Sequence, residues 1–247
     1  MAGHSKWANI KRRKGAQDAK RGQIFTKLIK EITVAAREGG PDPEGNPRLR
    51  LAIQNAKGQN VPKDNIERAI NKGSGSDAVD YIETTYEGYG PHGVAVFVEC
   101  ATDNLNRTVA SVRSLFSKYG GSLGVNGSVD YMFERKGTFL IVQNEETDQD
   151  DLTLELIDGG AEEVEFNEGY VEVTCAMEDF GNMQHKLDEL SLEAETAELQ
   201  RIPTTTVALD DEQFDKVMKL IEALEDDDDV QKVYHNIEAT EEQLQSI

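Results

Sequence analysis

Residues 137–143 read GTFLIVQ, 149–158 QDDLTLELID, 161–166 AEEVEF, 170–176 YVEVTCA, 178–190 EDFGNMQHKLDEL and 195–202 ETAELQRI. By apolar period and length these are a strand, a helix, two strands, a helix and a strand. That order, βαββαβ, is the ferredoxin-like unit. Upstream, Thr84–Tyr89 and Val94–Ala101 read as strands, Arg107–Tyr119 as a helix ended by Gly120 and Gly121, and Ser128–Phe133 as a strand. Downstream come a helix over 210–225 and a strand over 230–235. The upstream group lacks a second helix and a last strand, and the downstream pair supplies both if it returns to the same sheet. The predicted fold class is α+β. A discontinuous α/β sandwich domain covers 77–134 and 206–247, and a ferredoxin-like domain is inserted over 135–205.

Ahead of these lies a three-helix module within 1–76. Residues 17–37 place Ile24, Phe25, Leu28, Ile29, Ile32, Ala35 and Ala36 in an arc of about 140°, with Lys20, Lys27, Lys30 and Arg37 on the other side. A second helix starts at Pro47 behind the N-cap candidate Asn46 and stops at Gly58. A third runs from Pro62 to Gly73, and the Gly73-Ser74-Gly75-Ser76 stretch reads as a linker.

The net charge of −21 comes from 26 Lys/Arg against 47 Asp/Glu, and it is unevenly placed. Residues 1–72 hold 16 Lys/Arg and 7 Asp/Glu, a balance of +9, whereas 73–247 hold 10 and 40, a balance of −30. Such asymmetry points to a basic module that meets nucleic acid on an acidic body. At physiological salt, charges beyond a Debye length of ~8 Å are largely screened, so the acidic part barely weakens a basic surface in contact with phosphate. The expected nucleic-acid-binding residues are Lys6, Trp7, Lys11, Arg12, Arg13, Lys14, Lys20, Arg21, Lys27 and Lys30. The cations neutralise phosphates and release counterions. Trp7 suits stacking on an unpaired base or packing on the helical core.

Other motifs have plainer explanations beside a functional one. Gly88 to Gly93 matches G-x-G-x-x-G, but an apolar β-rich run follows instead of a helix, which makes it a hairpin loop. The Gly-rich loop 120–127 should end beside that hairpin, and the two could dock on a partner or simply make tight turns. Residues 102–108 suit N-capping of the helix that follows, and Arg107 carries charge beyond that need. Candidate partner contacts in these loops are Tyr89, His92, Asn104, Arg107 and Lys118. The run Glu225 to Asp229 sits after a helix, where negative charge costs ~0.3–1 kcal/mol in the last turn. It reads as a solvated loop, a patch pairing with the basic arm that residues 1–16 form, or a cation site. Helices 46–57 and 62–72 carry only a weak helix-turn-helix signal, because nothing marks the second as a base reader.

The four His lack metal-ligand spacing, and no nucleophile signature appears. No catalytic residue, metal or cofactor is therefore expected. With 2 Cys there is no disulfide framework, and the first 30 residues are basic without an apolar stretch. A cytoplasmic monomer without a membrane partner is the expectation.

Residues 1–7 (MAGHSKW), 15–22 (GAQDAKRG), 25–28 (FTKL), 86–91 (YEGYGP), 102–108 (TDNLNRT) and 224–230 (LEDDDDV) resemble the YebC/PmpR family. The resemblance covers essentially the whole chain. It implies a three-domain α+β protein without known enzymatic activity, described in bacteria as a transcriptional regulator that binds DNA. Related proteins, including a mitochondrial translational activator, are linked to protein synthesis. The alternative expectation is thus a ribosome-associated translation factor that binds ribosomal RNA and assists elongation.

Overall fold

The computed structural model describes residues 18–75, 80–143, 148–167 and 169–246, with only the backbone described at 18–21 and 245–246. Three helices come first: α1 (Asp18–Gly39), α2 (Pro47–Gly58) and α3 (Lys63–Ser74). The first half of the α+β region contains β1 (Ile82–Tyr89), β2 (Ala95–Thr102), α4 (Leu105–Lys118), β3 (Ser122–Leu123) and β4 (Phe133–Val142). It continues as α5 (Gln149–Asp158), β5 (Ala161–Asn167), β6 (Tyr170–Ala176), α6 (Phe180–Glu189) and β7 (Ala194–Pro203). The last elements are β8 (Val207–Ala208), α7 (Asp211–Glu225), β9 (Val230–His235), β10 (Ile237–Glu238) and α8 (Glu241–Ser246). The described residues fall into two compact units. One takes the chain up to residue 30, then 80–134 and 202 onward; the other takes 31–75 and 135–201.

In the first unit the sheet order is β3-β1-β2-β9, with antiparallel neighbours. β2 is buried on both faces, which explains the continuous apolar run 94–98. Val94, Val96, Val98 and Cys100 join Val112 and Phe116 of α4 and Phe214, Val217, Leu220 and Ile221 of α7 in one core. Ala95 and Phe97 join Val129, Phe133 and Tyr234 in another, where the Phe97 and Phe133 rings meet edge to face at 6.3 Å. β8 and β10 form a separate parallel pair.

Ser128–Phe133 is not a strand. A 3-10 turn occupies Asp130–Met132, and the sheet edge is instead β3, which lies inside the Gly-rich loop. The cause is Glu87, buried on β1. Its carboxylate accepts backbone N–H groups from Gly127 (2.6 Å), Val129 (2.8 Å) and Asp130 (2.9 Å). Donors that a strand ladder would use are thereby taken by one side chain.

The second unit contains the sheet β5-β6-β4-β7. In chain order of strands this is 2-3-1-4, the order of a ferredoxin-like sheet. Phe139, Ile141, Val171, Val173 and Cys175 point to the side covered by Leu152 and Leu156 of α5 and Met183 and Leu187 of α6. Asp148 caps α5 by accepting N–H groups from Asp150 and Asp151. Asn46 caps α2 through the Leu49 N–H (3.1 Å) and donates to the carbonyls of Ala35 and Gly40, which fastens the α1–α2 turn. α2 lies against the edge strand β7. The Asn55 amide donates to the Ala197 carbonyl (2.9 Å) and accepts the Ala197 N–H (3.0 Å), as a neighbouring strand would. Gly58 permits this approach, because a Cβ there would run into the Glu195 carbonyl.

Candidate functional site

Lys6, Trp7, Lys11, Arg12, Arg13 and Lys14 lie outside the described residues. Lys20 and Arg21 fall in the opening turns of α1. The remaining two expected nucleic-acid contacts lead into a polar cluster within the first unit. Lys30, placed by periodicity on the polar side of α1, is buried rather than solvated. Its ammonium donates to the carbonyls of Asp228 (2.5 Å) and Ala101 (3.1 Å) and sits 3.7 Å from the Asp229 carboxylate. Lys27 is half-buried and donates to the Glu225 carbonyl at 2.7 Å. The Glu225 and Asp228 carbonyls belong to the end of α7 and the turn after it, where unsatisfied oxygens and the helix dipole favour a cation, and the Ala101 carbonyl belongs to β2.

Asp229 is the centre of the cluster. Its carboxylate accepts from Arg107 Nε (3.1 Å) and Nη2 (2.8 Å) and from the Thr108 hydroxyl (2.8 Å). The Thr108 and Thr102 hydroxyls are 2.8 Å apart, and the backbone N–H of Ala101 donates to the Asp229 carbonyl. Burial by itself would push the Asp229 carboxyl up, but the hydrogen bonds from Arg107 and Thr108 outweigh it and hold the group below its ordinary value. Arg107 also donates to Asp103 at 2.8 Å, and Ser111 donates to Asp227. The run 225–229 is therefore only partly solvated. Asp226 and Asp228 are exposed, whereas Asp229 is buried and paired with α1 and α4.

The N-cap reading of 102–108 holds: Asn104 accepts the Arg107 N–H at 3.1 Å. Arg107, whose charge exceeded that need, answers Asp229. Cys100 lies close to the cluster, and its thiol is pushed up to about 12, first by burial and then by Asp227 and Asp229. That makes it a poor nucleophile.

The remaining candidate contacts share the other end of the sheet. A Cβ on Gly121 would lie 2.6 Å from the Tyr89 carbonyl, so the two Gly-rich loops do meet. Tyr89 donates its hydroxyl to the Ser128 carbonyl at 3.1 Å. Its hydroxyl is pushed above its ordinary pKa, first by a side-chain hydrogen bond with Tyr131. His92 is exposed in a left-handed conformation (φ 60°), and the Lys118 ammonium lies 5.1 Å from the centre of the Tyr119 ring. Tyr131 (73% exposed) and Val125 (78% exposed) project from the loop that Glu87 fastens. Sequence reasoning missed Glu87, and it reached Asp229 and Thr108 only as members of the runs 225–229 and 102–108, without singling either out. The signal for Asp229 was the surplus of carboxylates after a helix, for which pairing with basic residues was one of three readings.

Among the described residues no group of His, Cys, Asp and Glu is arranged to hold a metal ion, and no helix is long and apolar enough to cross a membrane. Two family models account for nearly the whole sequence. The TACO1/YebC N-terminal domain matches residues 5–76, and the TACO1/YebC second and third domain matches residues 81–237.

The chain belongs to the TACO1/YebC family.

Among TACO1/YebC-type relatives, a "Probable transcriptional regulatory protein" of Amoebophilus asiaticus is 62% identical over 239 residues, covering 96% of this chain and 98% of its own. One of the same description from Syntrophotalea carbinolica is 55% identical over 248 residues, covering 100% and 99%. The crystal structure of a conserved hypothetical protein from Aquifex aeolicus superposes with a TM-score of 0.81 at 46% identity, covering 91% of this chain and 93% of that one. The mixed helix and sheet architecture is thus shared with a solved structure.

Proposed function

We propose that this protein is a non-enzymatic regulator of gene expression that grips a nucleic-acid backbone, DNA in the first instance, through its basic N-terminal segment. The observation that carries the reading is the charge division: +9 over residues 1–72 against −30 over the remainder. The names of the relatives support transcription as the process. In this reading Lys11, Arg12, Arg13 and Lys14 displace counterions from phosphates, and Lys20 and Arg21 extend the basic stretch into α1. The acidic α+β part orients the protein, which acts in the cytoplasm as a monomer.

The test uses the full chain and a DNA duplex across a range of salt. Replacing Lys11, Arg12, Arg13 and Lys14 with Gln should weaken binding and reduce the log–log salt slope by up to ~0.9 per lost phosphate contact. An unchanged slope removes the arm from the mechanism. Co-sedimentation with ribosomes that survives nuclease treatment of free nucleic acid, without a promoter footprint, would replace transcription with translation as the process.

A further inference from the structure

The acidic body has a break in its charge. Residues 73–247 hold 40 Asp/Glu against 10 Lys/Arg, yet the run 104–129 contains no carboxylate and carries Arg107, Arg113 and Lys118. The run 88–98 contains none either. Arg107 is spent on Asp229, whereas Arg113 and Lys118 are exposed. The fold brings the two runs together at one end of the first sheet. Tyr89 pairs with Ser122, and a Cβ on Gly120 would lie 3.9 Å from the Pro91 ring. Of the carboxylates bordering this end, Glu212 faces His92 but is paired with Lys216 at 2.8 Å, and Asp130 stands at the rim.

The same end presents an aromatic ring on a firm mount. The Glu87 carboxylate holds the N–H groups of Gly127, Val129 and Asp130, and the Glu87 carbonyl accepts the Gly124 N–H at 2.7 Å. The Ser128 N–H donates to the Val125 carbonyl at 3.1 Å, closing a tight turn with Gly127 in the left-handed region (φ 83°). Tyr131 follows directly. Its side chain shares a hydrogen bond with Tyr89, yet it is 73% exposed. A loop ordered beforehand loses little entropy when it binds. A nucleobase stacks on such a ring whatever its identity, and nearby cations take the phosphates. Bases in a duplex are already stacked on one another, whereas RNA loops and bulges offer them unpaired.

We propose that the loops 88–93 and 118–131 form a second nucleic-acid surface, one for single-stranded RNA: Tyr131 stacks on an unpaired base while Lys118 and Arg113 meet flanking phosphates. This goes beyond the reading above, because no residue of the basic N-terminal segment takes part.

The test is the affinity of the full chain for a short, unstructured single-stranded RNA of mixed sequence, with the matching DNA strand and DNA duplex as comparisons. Tyr131→Ala should weaken RNA binding about fivefold or more, the loss of one stacked base, and leave duplex binding unchanged. Tyr131→Phe keeps the ring and should bind RNA close to wild type. Lys118→Gln should lower the log–log salt slope for RNA by up to ~0.7. The effect of Tyr131→Ala should persist when Lys11, Arg12, Arg13 and Lys14 are also replaced with Gln, so the loops and the basic segment are read separately. A measurement on the wild type needs no variant: the Tyr131 ring resonances should move when the RNA is added. RNA affinity unchanged by Tyr131→Ala, equal losses in the Ala and Phe variants, unmoved Tyr131 resonances, or tighter binding of either DNA than of RNA overturns the proposal and leaves the reading of the N-terminal segment standing.

Discussion

A carboxylate buried just past a helix C-terminus is disfavoured twice, by desolvation and by the carbonyl dipoles. Asp229 stands in that position with its side chain 9% exposed, and its stability there depends on Arg107, Thr108 and Lys30. Asp229→Ala should therefore destabilise the protein by roughly 3 kcal/mol or more, because it leaves the buried Lys30 ammonium short of its counter-charge. Urea unfolding at neutral pH reads this directly. The pH dependence has a definite sign. The folded-state pKa of Asp229 lies below its ordinary 3.8. Its contribution is thus fully present above that value and is lost as pH falls through the lowered one. Asp229→Asn should flatten the acid limb of a stability profile taken between about pH 2 and pH 5. A parallel offset at every pH would contradict the lowered pKa.

Among the elements, α2 does two jobs at once. One face buries Leu49, Ala52 and Ala56, and the other brings Asn55 and Gln54 to the open edge of β7. Covering an edge strand removes a template for aggregation. Asn55→Leu keeps the volume similar but leaves the Ala197 N–H and carbonyl without partners, at a cost of about 1–3 kcal/mol. Hydrogen exchange at the Ala197 amide should accelerate in the variant while the β4–β6 amides keep their protection. The reverse pattern would show that α2 does not guard this edge. Much at this scale was legible in the sequence. Asn46 and Pro47 announced the start of α2, and the apolar stretches 137–143 and 170–176 announced β4 and β6. Periodicity misled at 128–133 because Glu87, 40 or more positions earlier, captures the local N–H groups. Burial of Lys30 was illegible for the same reason: its partners lie 71 and 198 positions away.

For the whole molecule, each of the two compact units contains one buried cysteine, Cys100 in the first and Cys175 in the second. Burial pushes Cys175 up to about 11, as it pushes Cys100 up to about 12. A thiolate is the reactive form, so a disulfide reagent at pH 8 should find close to no thiol in the native protein and both in denaturant. Resolved by mass spectrometry, the two labelling rates report the opening of each unit separately. Fast native labelling of either thiol would mean that its core opens without global unfolding.

Local patterns were sufficient for the long helices and most of the long strands, the caps at Asn46 and in 102–108, the ferredoxin-like succession and the division of charge, because each depends on neighbours within a few residues or on composition alone. Only the tertiary structure decided that α2 closes the β7 edge, that β3 and not 128–133 borders the first sheet, and that Lys27 and Lys30 face the acidic turn after α7. Each of these rests on a side chain satisfying backbone groups far away in sequence, and a buried polar group finds its partner only when the chain has closed around it.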